Sequence, residues 1–286
     1  YVSRPEDGGD VILEPIPGNP AAKAGVLLGD VLIAVDGTPI APDLTVAQIA
    51  DLVKGEKGTT VILTVMHQGD TEEVDIEVVR DDILIPSVTS RLLDQDDRIG
   101  YVRLSRFSAE SSQEVADALL DLGEQGATSY ILDLRQNRGG LLDAAVEIAD
   151  QFLDEGPGLI QRSKDEGERI FDSTADTIIP EAPLLVLVDR GTASAAEIVA
   201  GALRDRQRAQ LIGNEPTFGK GSVQLVFDLS DGSSVHVTSA RWLTPDGTQL
   251  DGQGLEPDIL VEVTQEALDN GRDEVLEHAI EILQGE

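Results

Sequence analysis

Histidine is the first residue type to weigh for chemistry, and the three in this chain lack catalytic spacing. His67 stands at a hairpin end beside Gln68-Gly69-Asp70, and His278 lies in a terminal helical stretch. His236 alternates with Val235 and Val237 on a strand, facing outward, and is the one candidate base for a Ser-His-Asp triad. No HExxH or other metal-ligand spacing is present. With no cysteine, thiolate zinc sites, a disulfide framework and a cysteine nucleophile are excluded together. Gly213-Asn-Glu-Pro-Thr-Phe-Gly219-Lys220-Gly221 approximates a phosphate-binding loop but is one residue too long. Gly221 also stands where a magnesium-binding Ser or Thr belongs, and Glu215 would repel phosphate. The acidic run Asp94-Gln-Asp-Asp97 lacks the Gly and terminal Glu of a calcium loop and reads as a solvated turn.

A serine and a lysine remain. Ser194 falls at a strand-to-helix junction: the apolar run Leu184–Val188, then Asp189-Arg-Gly191-Thr-Ala-Ser194, then a helix. Ser194-Ala-Ala-Glu197 matches a capping box, so capping alone accounts for the serine. The two roles are compatible, because a helix N-terminus offers free N–H groups and a positive dipole end, as an acyl-transfer oxyanion requires. Lys220 is one of five lysines against sixteen arginines, with no acidic residue between Glu215 and Asp228. Arginine keeps its proton, whereas a lysine desolvated in an apolar, glycine-lined site can serve as general base for a hydroxyl. In an extended segment Lys220, Ser222 and Gln224 share one side, and Gln224 can orient the amine. A surface lysine with its stem along a strand is the competing reading.

These residues need a scaffold. The 286 residues suggest roughly two domains, and an apolar fraction of 41% supports buried cores. A net charge of −33 excludes a general nucleic-acid footprint and disfavours adsorption to anionic membranes. No apolar run approaches the ~18 residues of a membrane span. Residues 1–84 alternate short Val/Ile runs with turn signals and read as a small β-rich module. It holds two short helices, one after Asn19-Pro20 ending at Gly25, the other over Thr45–Lys54. Residues 85–98 read as a linker. From Ile99 the pattern turns to strand–helix–strand: a strand over Ile99–Phe107, a capping box at Ser111-x-x-Glu114, a strand over Tyr130–Leu134 and a helix over Leu141–Leu153. Further along come the buried run Leu184–Val188, a helix over Ala195–Arg206, and strands to Ile259–Val263. That alternation predicts an α/β domain with a largely parallel sheet over 99–264, closed by a C-terminal helix in 265–286.

Thr-Ala-Ser194-Ala-Ala-Glu197-Ile, Glu215-Pro-Thr-Phe-Gly-Lys220-Gly-Ser-Val-Gln224 and Leu132-Asp-Leu-Arg135-Gln-Asn-Arg-Gly139-Gly140 closely resemble the carboxyl-terminal processing peptidases, or tail-specific proteases, of family S41. Gly18-Asn-Pro-Ala-Ala-Lys-Ala-Gly25 and Gly29-Asp-Val-Leu-Ile-Ala-Val-Asp-Gly37 are similar to the PDZ module those enzymes carry. Thr244-Pro-Asp-Gly247 and Gly254-Leu-Glu-Pro-Asp258 also match. The resemblance implies a PDZ domain before a crotonase-like α/β protease core, with Ser194 as nucleophile and Lys220 as general base. It offers two candidates for a third member, Gln224 and Asp205. Gln224 is preferred, since Asp205 stands among Arg204, Arg206 and Arg208, and a carboxylate beside the lysine favours its charged form. Oxyanion donors would be the N–H groups of Ala195 and of the Gly139-Gly140 turn, Gly140 before Gly139. A PDZ groove over Tyr1, Val2, Val46, Ile49 and Val53 would take apolar protein or peptide C-termini. No metal, cofactor or nucleic acid is implied, and oligomeric state is left open, a homo-oligomer included. The family works outside the cytoplasm, so an N-terminal segment absent here is expected to carry an export signal or membrane anchor. A catalytically inactive PDZ scaffold and a crotonase-type acyl-CoA enzyme are the rival readings. Asn214 makes the loop before Lys220 one residue longer than the family's.

Overall fold

Valine- and isoleucine-rich runs broken by Gly, Asp and Pro build residues 1–85, one of two units into which the chain divides; the other is 86–286. The computed structural model describes residues 1–5, 9–83, 85–164, 167–174 and 177–285. In chain order the first unit holds β1 (Val2–Ser3), β2 (Ile12–Leu13), α1 (Pro20–Ala24), β3 (Asp30–Val35), β4 (Thr38–Pro39), α2 (Val46–Val53), β5 (Thr60–Met66) and β6 (Glu73–Val79). The strands form an antiparallel sheet in the order β1-β2-β3-β5-β6, with β4 on β3. α1 ends on Gly25, whose φ of 105° is a backbone conformation that glycine adopts without penalty. α2 opens with a complete capping box between Thr45 and Gln48.

Ile49 corrects one expectation. It is fully buried among Leu32, Val61 and Val65, so it belongs to the core of the unit and not to an open groove. A short amphipathic helix turns the middle of its apolar stripe toward the sheet. Val2 and Val53 pack partly on the same core, while Tyr1 and Val46 are exposed.

The second unit holds β7 (Val88–Leu93), β8 (Asp96–Leu104), α3 (Ser111–Glu124), β9 (Ser129–Asp133), α4 (Leu142–Asp150), β10 (Gly156–Ser163), β11 (Gly167–Ser173), β12 (Leu184–Val188), α5 (Ala195–Asp205), β13 (Gln210–Gly213), β14 (Ser222–Asp228), β15 (Ser234–Leu243), β16 (Ile259–Leu260), α6 (Gln265–Asp269) and α7 (Glu274–Gln284). One sheet runs β16-β13-β12-β9-β8-β7, parallel except for the β7–β8 edge. On β12 the period of two is complete. Leu184, Val186 and Val188 enter the core with α3, α4 and α5, and Leu185 and Leu187 enter the core with α7. Both faces are covered, so the strand reads as an uninterrupted apolar run.

Three expectations change. Residues 88–98 are not a linker: β7 pairs with β8 along its length, and Asp94-Gln95 is the hairpin turn between them. The Ser111/Glu114 capping box does not form. The Glu114 carboxylate instead accepts the N–H groups of Ser87 and Val88 at 2.7 and 3.1 Å, fastening the start of β7. A second, antiparallel sheet, β11-β10-β15-β14, stands apart from the largely parallel sheet that the strand–helix alternation predicts. Its strands alternate weakly, and register with distant segments, not local period, defines it. Among the described residues no helix is long and apolar enough to cross a membrane.

Candidate active site

Three adjacent parallel strands deliver the loops of interest at their carboxyl ends, where open α/β sheets place ligands. β9 leads into Gln136–Gly140, β12 into Asp189–Ser194, and β13 into the loop ending at Lys220. Cross-bonds hold the loops together. Ala193 N–H donates to the Asn137 carbonyl at 2.9 Å, Thr192 Oγ1 to the Leu134 carbonyl at 2.9 Å, and Phe218 N–H to the Thr192 carbonyl at 2.9 Å.

Ser194 occupies a strained turn, φ 58° and ψ −119°, immediately before α5. Such a conformation is costly for any residue with a side chain, and a sharp strand-to-helix elbow uses it to project a nucleophile. Glu197, fully buried, makes the capping contact anticipated from sequence, its Oε2 accepting the Ser194 N–H at 2.9 Å. Sequence reasoning missed the rest of its role. Oε2 also accepts the Lys220 N–H at 2.8 Å, while Oε1 accepts the Gly219 N–H at 2.7 Å and the Thr217 hydroxyl at 2.5 Å. One carboxylate thus bolts the serine turn to the lysine loop.

Opposite Ser194, Gly139 and Gly140 have φ of 92° and 147°. A Cβ on Gly139 would fall 2.8 Å from Ser194 Cβ, and one on Gly140 2.1 Å from the Phe107 carbonyl oxygen, so neither site admits a side chain. The Gly139 N–H is already given to Asn137 Oδ1 at 2.8 Å, which removes it from the oxyanion candidates. Buried Asn137 is held in turn by its amide, which donates to the Leu104 carbonyl at 2.8 Å. Among the described residues the N–H groups of Gly140 and Ala195 have no acceptor.

Gly140, Ser194, Ala195, Lys220, Ser222, Gln224 and His236 line one cleft of about 290 Å³ with Leu142, Ile198, Val223 and Trp242. Ser194 is half-buried, but Lys220 is exposed, and its amine makes no hydrogen bond or ion pair among the described residues. The desolvated amine anticipated from sequence is therefore absent from this state, because none of the described residues covers the lysine where two clefts meet. Ser222 and Gln224 line the cleft with Lys220, and Val223 joins them beside a register shift in which Val223 pairs with Ala240 and Gln224 with Thr238. His236 reaches the cleft too, its ring 3.0 Å from Ser234 Oγ. Asp205 is elsewhere. It lies eleven residues beyond Ser194, about 16 Å along the helix, bonded to Arg204 at 3.3 Å and to the Asp246 N–H at 3.1 Å.

Beneath the site Arg135 is clamped between Asp133 at 2.6 Å and Asp273 at 2.8 Å. Burial opposes its charge, but the two carboxylates hold the guanidinium above the ordinary arginine range. Tyr101 donates to Asp133 at 2.6 Å and is pushed up to about 12 by burial and by that carboxylate. Asp273, which also caps α7 by accepting the Leu276 N–H, is held below the usual range: burial raises it, and Arg135 overcomes that effect. A carboxyl depressed in the folded state stabilises above its unfolded pKa and loses that contribution as pH falls through the folded value. We expect Asp273→Asn to cost about 1 kcal/mol at neutral pH, since the side chain is 41% exposed. It should also flatten the stability decline below about pH 4, as read by urea melts from pH 7 to 3. An unchanged acid limb would remove Asp273 from the account.

The profile of Peptidase family S41 matches residues 98–261, and a PDZ domain profile matches residues 11–66. The chain belongs to peptidase family S41. It is 39% identical over 256 residues to a carboxy-terminal-processing protease of Bartonella bacilliformis, covering 88% of this chain and 58% of that protein. It is 40% identical over 260 residues to a carboxyl-terminal-processing protease of Synechocystis, covering 90% and 60%. The chain thus spans a little under two thirds of these relatives' lengths. Among solved structures it is similar to a photosystem II D1 C-terminal processing protease, with a TM-score of 0.56, 36% identity and coverage of 92% of this chain and 71% of that one. The tricorn protease shares the fold, at a TM-score of 0.62 and 16% identity over 96% of this chain and 28% of that one. The S41 core is the mixed α/β unit described above, and the PDZ match falls within the β-rich unit.

Proposed function

We propose that this chain is a serine endopeptidase that cleaves proteins near their C-termini, with a Ser194–Lys220 dyad and a PDZ domain that recognises apolar substrate tails. The observation that carries the reading is the strained Ser194 turn beside two N–H donors that have no acceptor among the described residues, with Lys220 lining the same cleft. The uncharged lysine amine takes the Ser194 proton as Oγ attacks the scissile carbonyl. The carbonyl oxygen, now negative, lies between the Gly140 and Ala195 N–H groups. Lysine returns the proton to the leaving amine, and water then hydrolyses the acyl-enzyme. A peptide laid over the amine supplies the desolvation that the free chain lacks. No metal or cofactor enters these steps. By analogy with the family, the protein acts outside the cytoplasm.

The test is incubation with an apolar-tailed peptide and with a fluorophosphonate reagent, followed by mass spectrometry. Cleavage together with a covalent adduct on Ser194 is expected. No adduct and equal peptide turnover by Ser194→Ala would leave an inactive scaffold, and turnover of acyl-CoA would favour the crotonase-type rival. For the third member we choose Gln224. Gln224→Ala is expected to lower kcat by about 10- to 100-fold through a misplaced amine. Asp205→Ala should leave kcat within a few-fold and only loosen the turn at Asp246. The opposite pattern would assign the role to Asp205.

A further inference from the structure

In a chain of net charge −33, three cations line a single cleft beside Ser194. The cleft, about 550 Å³, is walled by Gln136, Arg138, Arg190, Gly191, Ala193, Phe218 and Lys220, with no carboxylate among them. Asp189, the acidic residue between these walls, is fully engaged. It accepts the N–H groups of Gln136, Gly191 and Thr192 at 2.9, 2.9 and 3.1 Å, and also the Gln136 side-chain amide. Arg190 is held in place by the Thr217 carbonyl at 3.2 Å and by the Phe218 ring, whose centroid lies 6.0 Å from the guanidinium carbon. One Arg190 nitrogen makes that bond, so most of its five donors stay available. Arg138 is exposed and has no hydrogen bond or ion pair among the described residues.

Lys220 lines both this cleft and the one that holds Ser194, Gly140 and Ala195. The acyl carbonyl must sit with the oxyanion donors, in the cleft that holds Gly140 and Ala195. The leaving amine receives its proton from the lysine, so the departing peptide runs past Lys220 toward Arg138 and Arg190.

We propose that Arg138 and Arg190 form a subsite for a carboxylate on the leaving peptide, either its terminal carboxylate or an acidic side chain. The inference rests on the peptidase reading and names the chemistry its primed side selects. A guanidinium pair suits a planar carboxylate. The surrounding negative field makes this local reversal the place where such a group can settle near the serine.

The test uses four peptides alike on the acyl side: a free C-terminus, its amide, and an Asp after the scissile bond with its Asn counterpart, the last two both amidated. Hydrolysis by wild type, Arg138→Gln and Arg190→Gln is followed, and binding to Ser194→Ala with and without each arginine change. The expected result is a kcat/KM and affinity advantage of about five- to tenfold for one carboxylate peptide over its neutral twin, lost in Arg138→Gln and falling with salt. The pair that responds identifies the source of the carboxylate. Because a PDZ groove also favours a free C-terminus, an advantage that survives in both arginine variants overturns the subsite, as does equal treatment of each pair by wild type. If no peptide is hydrolysed, the peptidase reading fails, and the binding comparison still decides the subsite.

Discussion

A Ser194→Gly protein is expected to lose about 10⁴-fold or more in peptide hydrolysis and yet to melt at a higher temperature than wild type. The turn angles of Ser194, φ 58° and ψ −119°, are those of the first central position of a type II′ turn, where glycine is the unstrained choice. Holding a side chain there costs about 1–3 kcal/mol. Glycine removes that cost but widens the unfolded ensemble by roughly 0.4–1 kcal/mol. The net gain is about 1 kcal/mol, or roughly 2–4 °C in Tm. Ser194→Ala keeps the strain and should lose activity equally with Tm near wild type. Calorimetry on the pair, beside a discontinuous peptide assay, decides both claims. A glycine variant that melts below the alanine variant shows no stored strain, and wild-type turnover in either removes Ser194 as nucleophile.

Glu197 carries the second large effect. Its two oxygens accept all four of their hydrogen bonds from Ser194, Thr217, Gly219 and Lys220, in a fully buried position. Glu197→Ala strands three backbone N–H groups and a hydroxyl at about 1–3 kcal/mol each before relaxation, so a net loss of about 3–5 kcal/mol is expected. Glu197→Gln keeps the volume but, in either amide orientation, turns an NH₂ toward at least one N–H donor, moving the lysine loop relative to the serine. A shift of about 1 Å there lowers kcat by roughly 10²-fold. KM should change less, because Trp242, Ile198 and Arg138 still line the clefts. Titrating active sites with the fluorophosphonate separates positioning from folding. Full wild-type kcat per labelled Glu197→Gln molecule would reduce Glu197 to a scaffold residue.

Residue type and local period already carried much of this. The run Leu184–Val188 announced a strand covered on both faces, and Ser194 followed it at the required junction. Lys220 stood out because an arginine-rich chain kept a lysine between glycines. Gly140 was legible as half of a glycine pair, but only the bond from Gly139 to Asn137 distinguishes its free N–H from its neighbour's. Ser111-Ser-Gln-Glu114 spelled a helix cap and Glu114 went to β7, because an N–H pair on another segment competes for the same carboxylate. The antiparallel layer β11-β10-β15-β14 arises from pairing between Ile160 and Leu243, far apart in the chain.

What the order of amino acids settles here is which residues can react and which helices and strands carry them, since spacing, caps and apolar period act over a few residues. What folding adds is mutual placement. Glu197 reaches Lys220 across 23 positions and Arg135 reaches Asp273 across 138, and no local rule ranks such partners. Hydrogen bonds and ion pairs are short-ranged in space but indifferent to sequence separation. Commitment of a donor, exposure of Lys220 and the gathering of three cations in one cleft therefore become visible only when the loops at the ends of β9, β12 and β13 stand side by side.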